Sequence, residues 1–178
     1  MSEQKKITKI EDAIVEYLDG DLKETALKLT AYLNESDGLS LVLLPWELDK
    51  GKTIAFKIKH RDHYIGWILV KDNGEWLFDN FNFSHLGEFY DDDKEFTAAV
   101  YEHINPCTAS CGCCPSGEPC QLSRETTVFG KKFYSVCFQH TKGFINPDEK
   151  TLGYIKKLIE YGKKINIPHE GIYHCNNL

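Results

Sequence analysis

The sequence predicts an α+β fold: an antiparallel β-meander with flanking helices and a cysteine-rich metal knuckle. Three observations predict it. Period-two apolar runs are separated by short turn signals, which favours antiparallel pairing, because parallel strands need long crossovers. Segments of helical periodicity lie at both ends of the chain. Between them, "CTASCGCCPSGEPC" gathers five of the seven cysteines into the fourteen residues Cys107–Cys120.

The elements follow in order. In "IEDAIVEYL", Ile10, Ala13, Ile14, Tyr17 and Leu18 share one helical face. Asp19-Gly20 ends that helix. Asp21 opens a second with Glu24 placed as in a capping box, and Leu22, Ala26, Leu29 and Leu33 are its apolar positions. "LSLVLLPW" reads as a buried strand broken at Pro45. "TIAFKIK" sets Ile54, Phe56 and Ile58 against Lys57 and Lys59. "YIGWILV" is apolar on both sides and so reads as central. Asn73-Gly74 signals a hairpin, and "EWLFDNFNF" returns as the next strand.

The acidic run Asp91–Asp93 suits a helix start, followed by the face Phe96, Ala99, Val100, His103 and Ile104, with Asn105-Pro106 as the stop. "TTVFGKKFYSVCFQH" reads as a hairpin turning near Gly130-Lys131. "NPDE" reads as a helix start with Asn146 as cap, Pro147 at the first position and Glu149 closing the box. The helix that follows presents Leu152, Ile155, Leu158, Ile159 and Gly162 to the core. The expected division is 1–104 as helices and meander, and 105–165 as knuckle, hairpin and last helix packed on the same domain. Residues 166–178 read as an irregular tail.

Composition narrows the function. With 178 residues, 42% of them hydrophobic, the chain can bury a core without covalent staples. A net charge of -6 argues against non-specific nucleic-acid binding. No apolar run reaches membrane-spanning length, and the start, "MSEQKKITKIEDAIVEYL", does not read as a signal peptide. The expected compartment is the reducing cytoplasm, where structural disulfides are rare, and seven is an odd number for disulfide pairing.

The cysteine cluster then reads as a metal site. Thiolates bind zinc in closed tetrahedral sets of four, with one pair supplied by a Cys-x-x-Cys turn. Cys111 and Cys114 form that pair, with Gly112 easing the turn; Cys120 follows "PSGEP", and Cys137 returns on the hairpin. Cys107, Cys113 and His140 are alternates. An iron–sulfur cluster on Cys107, Cys111, Cys114 and Cys120 is the alternative, since thiolate ligation is all it needs. A thiol-redox centre at Cys113-Cys114 lacks the βαβ context of thioredoxin-like motifs. Cys175 stands alone and reads as a small buried residue or a tail thiol.

Residues 111–164 resemble the C-terminal part of uncharacterised bacterial cysteine-rich proteins. The likeness rests on the clustered cysteines, "TVFGKKFYSVC" and "FINPDEKTLGYIKKLIE". It covers about a third of the chain, with approximate element ends, and implies no particular activity. The spacing Cys107-x3-Cys111-x2-Cys114 also matches radical S-adenosylmethionine enzymes, but it falls late in a chain too short for their barrel.

A second candidate is aromatic. "EWLFDNFNFSHLGEFY" carries more rings than one sheet face needs. Core packing is the ordinary account. The functional one is a small-ligand cleft walled by Trp76, Phe78 and Phe83, with Asn80, Asn82 and His85 as polar anchors, closed by the hairpin around Phe129. His60 and His63 flank a turn and read as solvated. The sequence thus points to a binding module for a small molecule or another protein, built around structural zinc. Its alternatives are an iron–sulfur or thiol enzyme and a metal-handling protein.

Overall fold

The computed structural model describes residues 7–44, 53–79, 83–104, 123–137 and 142–165. It has four helices, a five-stranded antiparallel sheet and a separate two-stranded hairpin, an α+β architecture. The helices are α1 (Ile10–Tyr17), α2 (Gly20–Glu35), α3 (Lys94–Glu102) and α4 (Glu149–Lys164). The strands are β1 (Leu39–Leu43), β2 (Thr53–His60), β3 (His63–Lys71), β4 (Trp76–Asp79), β5 (Ser123–Val128), β6 (Lys131–Cys137) and β7 (Phe144–Ile145). The large sheet runs in the order β1-β2-β3-β4-β7, and β5 pairs with β6.

Alternation sets the two faces of the sheet. Phe56, Ile58, Ile68, Val70, Trp76, Phe78 and Phe144 join one hydrophobic cluster with residues of all four helices. Each large side chain buried there contributes about 1.5–3 kcal/mol. Ala55, Leu69 and Leu77 form a smaller cluster on the opposite face, with Leu44 and Trp67 beside them. The register joins this row across the strands: Ala55 faces Leu69, Leu69 faces Leu77, and Leu77 faces Ile145.

Several local expectations hold. Ile10, Ala13, Ile14 and Leu18 are buried, as are Ala26, Leu29 and Leu33 of α2 and the whole stripe Leu152, Ile155, Leu158, Ile159 and Gly162 of α4. Asp93 caps α3 by accepting from the Phe96 N–H at 3.0 Å. The central position of β3 is as its composition predicts.

Others are corrected. The N-cap of α2 is Asp19 rather than Asp21, and its side chain makes no capping bond. β1 is an edge strand with half-buried residues, not a buried one. β4 ends at Asp79, and Phe83–Glu88 form a 3-10 helix where an extended strand was expected. The cap of α4 is Asp148, which accepts from Thr151 N at 2.8 Å. Asn146 instead sits at a φ of 45° and reaches across to β4. Its side-chain oxygen accepts from Trp76 N at 2.9 Å, and its own N–H donates to Trp76 O at 2.8 Å. That exchange continues the β4–β7 pairing one residue past β7, a strand too short to leave a period in the sequence.

The β5–β6 hairpin closes through Phe129 and Gly130, both at positive φ, 45° and 79°. Two such residues give the primed turn whose twist suits a hairpin. Gly adopts that conformation freely; Phe does not. Phe129 is held there by packing. Its ring lies 5.5 Å from Phe96 and 5.3 Å from Tyr161, and its N–H donates to Leu86 O at 3.3 Å. Further along, an extra residue near Ser135 (φ 56°) forms a bulge. The bulge lets both Phe133 and Val136 meet the core.

Candidate metal site

The residues expected to hold the metal are split by the limits of the described structure. Cys107, Cys111, Cys113, Cys114, Cys120 and His140 lie outside the described residues, as do Asn80 and Asn82. Cys137 is the last residue of β6. Among the described residues, no group of three or more His, Cys, Asp or Glu side chains is placed to hold a metal ion.

The described residues do define the frame from which the cysteine segment departs. One end of that frame is the mouth of the hairpin, where Ser123 pairs with Cys137. Cys120 precedes Ser123 by three residues in the sequence, outside the described residues. Cys137, fourteen residues after Ser123, stands opposite it through the antiparallel register.

The other end is a clamp between the C-terminus of α3 and the approach to β7. Lys142 N donates to His103 O at 3.2 Å, and the His103 ring bonds Lys142 O through Nδ1 at 2.9 Å. Since a carbonyl only accepts, Nδ1 carries the proton. The ring also lies 3.7 Å from the Phe144 ring, centroid to centroid. Burial holds the imidazole below its ordinary pKa, outweighing the Lys142 carbonyl and the Glu102 carboxylate, which favour protonation. A neutral ring with Nδ1–H donated leaves its lone pair on Nε2.

In the sequence, the clustered cysteines fall between these two fixtures. The chain leaves the His103 clamp, passes Cys107 to Cys120, enters the hairpin at Ser123, and returns through Cys137 and His140 to Lys142. Cys137 and Lys142 are five residues apart, so the two fixtures lie within about 19 Å of one another. The bond between His103 and Lys142 is a contact that sequence reasoning missed. His103 was assigned to the apolar face of α3, and its partner lies 39 residues away with no local signal to reveal it.

The aromatic cleft is corrected. Trp76 and Phe78 are 0% exposed and Phe83 is 2% exposed, all three within the main core cluster. They are packing residues and offer no open wall. Phe129 is likewise buried, against Phe96 and Tyr161. The backbone of His85 lies in the 3-10 helix. Trp76 Nε1 is buried without a hydrogen-bond partner among the described residues.

Fold and frame together define the class: an α+β chain with the β5–β6 hairpin following its cysteine-rich segment and the end of α3, bonded to Lys142, preceding it. Comparison with protein-family models, with curated proteins and with solved structures finds no match. Among the described residues, no helix is long and apolar enough to cross a membrane.

Proposed function

We propose that this chain is a small cytoplasmic binding module whose C-terminal third is held by a structural zinc site. The ligands are Cys111, Cys114, Cys120 and Cys137, or a set drawn from these with Cys107, Cys113 and His140. The observation that carries this reading is the Ser123–Cys137 pairing. It sets Cys137 opposite Ser123, the residue three positions after Cys120 in the sequence, and a site assembled from two chain segments calls for such a return. Clustered thiols in a Gly- and Pro-rich stretch also lack the apolar neighbours that would make them core residues.

The ligand of the module is a small molecule or another protein. With the central rings buried, recognition falls to the surface. There Tyr134 on the hairpin is 66% exposed and Ile145 on the outer strand is 59% exposed. Tyrosines in such positions suit interfaces, since they offer contact area with a polar tip.

Elemental analysis of protein purified without oxygen tests the metal. About one zinc per chain is the expected result. Iron with visible charge-transfer absorption would replace zinc by a cluster, and neither metal would overturn the reading.

A further inference from the structure

We propose that the outer edge of β1 is a self-association surface, to which a second copy of this chain adds its own β1, antiparallel, about a two-fold axis at Leu41. The inference uses only the large sheet and is independent of the zinc reading.

The backbone defines the edge. β1 is the first strand of the sheet, and among the described residues no element pairs with its outer side. Arg61 N donates to Gly38 O at 2.8 Å, and Leu44 N donates to Ala55 O at 2.9 Å. Bonded positions alternate along an antiparallel pair, so Ser40 and Val42 also turn their backbone groups toward β2. Leu39, Leu41 and Leu43 turn theirs away from it. The Leu39 N–H is taken by Ser36 O at 3.3 Å. The Leu39 carbonyl and both backbone groups of Leu41 and Leu43 face outward at strand spacing.

Such an edge is ordinarily protected by charge, by proline, by a bulge or by shortness. β7, at the other edge, has two residues. β1 has five, LSLVL, with no charged residue, no proline and an unshifted register with β2. Leu39, Leu41 and Leu43 are partly buried against the main core, and Val42 on the opposite face is 41% exposed.

The strand fits a copy of itself. With the axis at Leu41, that residue exchanges both backbone bonds with its copy, and the Leu39 carbonyl accepts from the copy's Leu43 N–H. Leu39 meets the copy's Leu43 on the core side, so each half-buried leucine row covers the other. Ser40 meets the copy's Val42 on the other side. No charge is buried, and every contact is made twice, which is the condition for a closed dimer.

Sedimentation equilibrium of the full-length chain tests this, in a reductant that keeps the cysteines from joining chains. A reversible monomer–dimer equilibrium is expected. Ser40→Glu combined with Val42→Glu sets like charges opposite one another across the axis and should weaken the dimer roughly tenfold. Within one chain those positions face Lys59 and Lys57, so the monomer should keep its fold. Ser40→Lys combined with Val42→Glu sets opposite charges across the axis and should restore association. In the wild type, the Leu41 and Leu43 amides should be protected from hydrogen exchange in the dimer and exposed on dilution, a readout that needs no variant to fold. A chain that stays monomeric, or a dimer indifferent to both charge patterns, would overturn the proposal. So would a Leu41 amide protected equally at every dilution, since another occupant would then cover the edge.

Discussion

The Tyr161 hydroxyl donates to Oδ2 of Asp91 at 2.6 Å, tying the chain ahead of α3 to the last turns of α4. Oδ1 of the same carboxylate accepts from Lys157 Nζ at 2.8 Å and from Asp93 N at 2.9 Å. The Asp91 side chain is only 6% exposed. Burial and the carboxylate together push the Tyr161 hydroxyl up to about 12.

This network sets a pH dependence. Burial alone would raise the Asp91 carboxyl, but the Lys157, Tyr161 and Asp93 donors outweigh it and leave the group below its ordinary value. A depressed carboxyl stabilises the fold above its unfolded pKa, and that contribution is lost as pH falls through the folded value. Asp91→Asn should therefore cost about 2–3 kcal/mol near neutral pH, the scale of charge-assisted bonds. The gap from wild type should close in acid. Urea denaturation at neutral and acid pH checks this; a gap of constant size would show that the carboxylate charge is not the cause.

Asn146 offers a test of backbone geometry. It holds a φ of 45° and supplies the acceptor for Trp76 N. Asn146→Gly keeps the conformation and loses only the acceptor, whereas Asn146→Ala loses both. The alanine variant should be the less stable by about 1 kcal/mol, the cost of a residue with Cβ in that region. Thermal melts of the two variants decide it, and equal stabilities would contradict the role assigned to φ.

Two glycines should respond in opposite directions. A Cβ at Gly87 would stand 2.8 Å from Thr127 O, where the 3-10 helix meets β5. Gly87→Ala is expected to destabilise by about 1–3 kcal/mol through forced separation. Gly153 has nothing within 4 Å of its would-be Cβ and lies exposed in α4. Gly153→Ala should stabilise by about 0.5–1 kcal/mol. Chemical denaturation of both variants measures the difference, and a stabilising Gly87→Ala would refute the close approach.

Metal removal should act locally. On the zinc reading, a chelator or Cys137→Ser should loosen the β5–β6 hairpin first, because ligand binding there is linked to folding. Strands β2 and β3, buried at the centre of the large sheet, should keep their amide protection. Hydrogen exchange resolves the two regions. Uniform loosening, or no change at the hairpin, would count against a structural metal.

The sequence makes the repetitive elements visible and hides the single contacts. The stripe of α4 is legible because five apolar residues recur at helical spacing and all five are buried. β2 is legible because Ile54, Phe56 and Ile58 alternate with lysines. Asn146 is misread because a cap and a cross-strand acceptor have the same local chemistry; only β4, 70 residues away, decides between them. The aromatic stretch misleads for a related reason. An excess of rings looks like a ligand wall until the helices that cover them are in place. For the candidate metal site, the thiols are plain in the sequence, while the pairing of Cys137 with Ser123 depends on register, and the His103–Lys142 bond depends on a partner far along the chain.

Phe129 gives the hairpin a fixed origin from which its length is measured. The ring is locked among Phe96 and Tyr161 at the closed end, so register is counted from there, and the extra residue near Ser135 is taken up as a bulge and not by sliding of the strand. A shift of one position would turn every later side chain to the opposite face. β6 therefore works as a ruler, laid from an aromatic socket to the mouth where Cys137 faces Ser123. The count of residues along it is more constrained than the identity of its exposed members Lys131, Lys132 and Tyr134. Substitutions there leave the register as it is, whereas a deletion between the turn and the bulge would change which residue faces Ser123 at the far end.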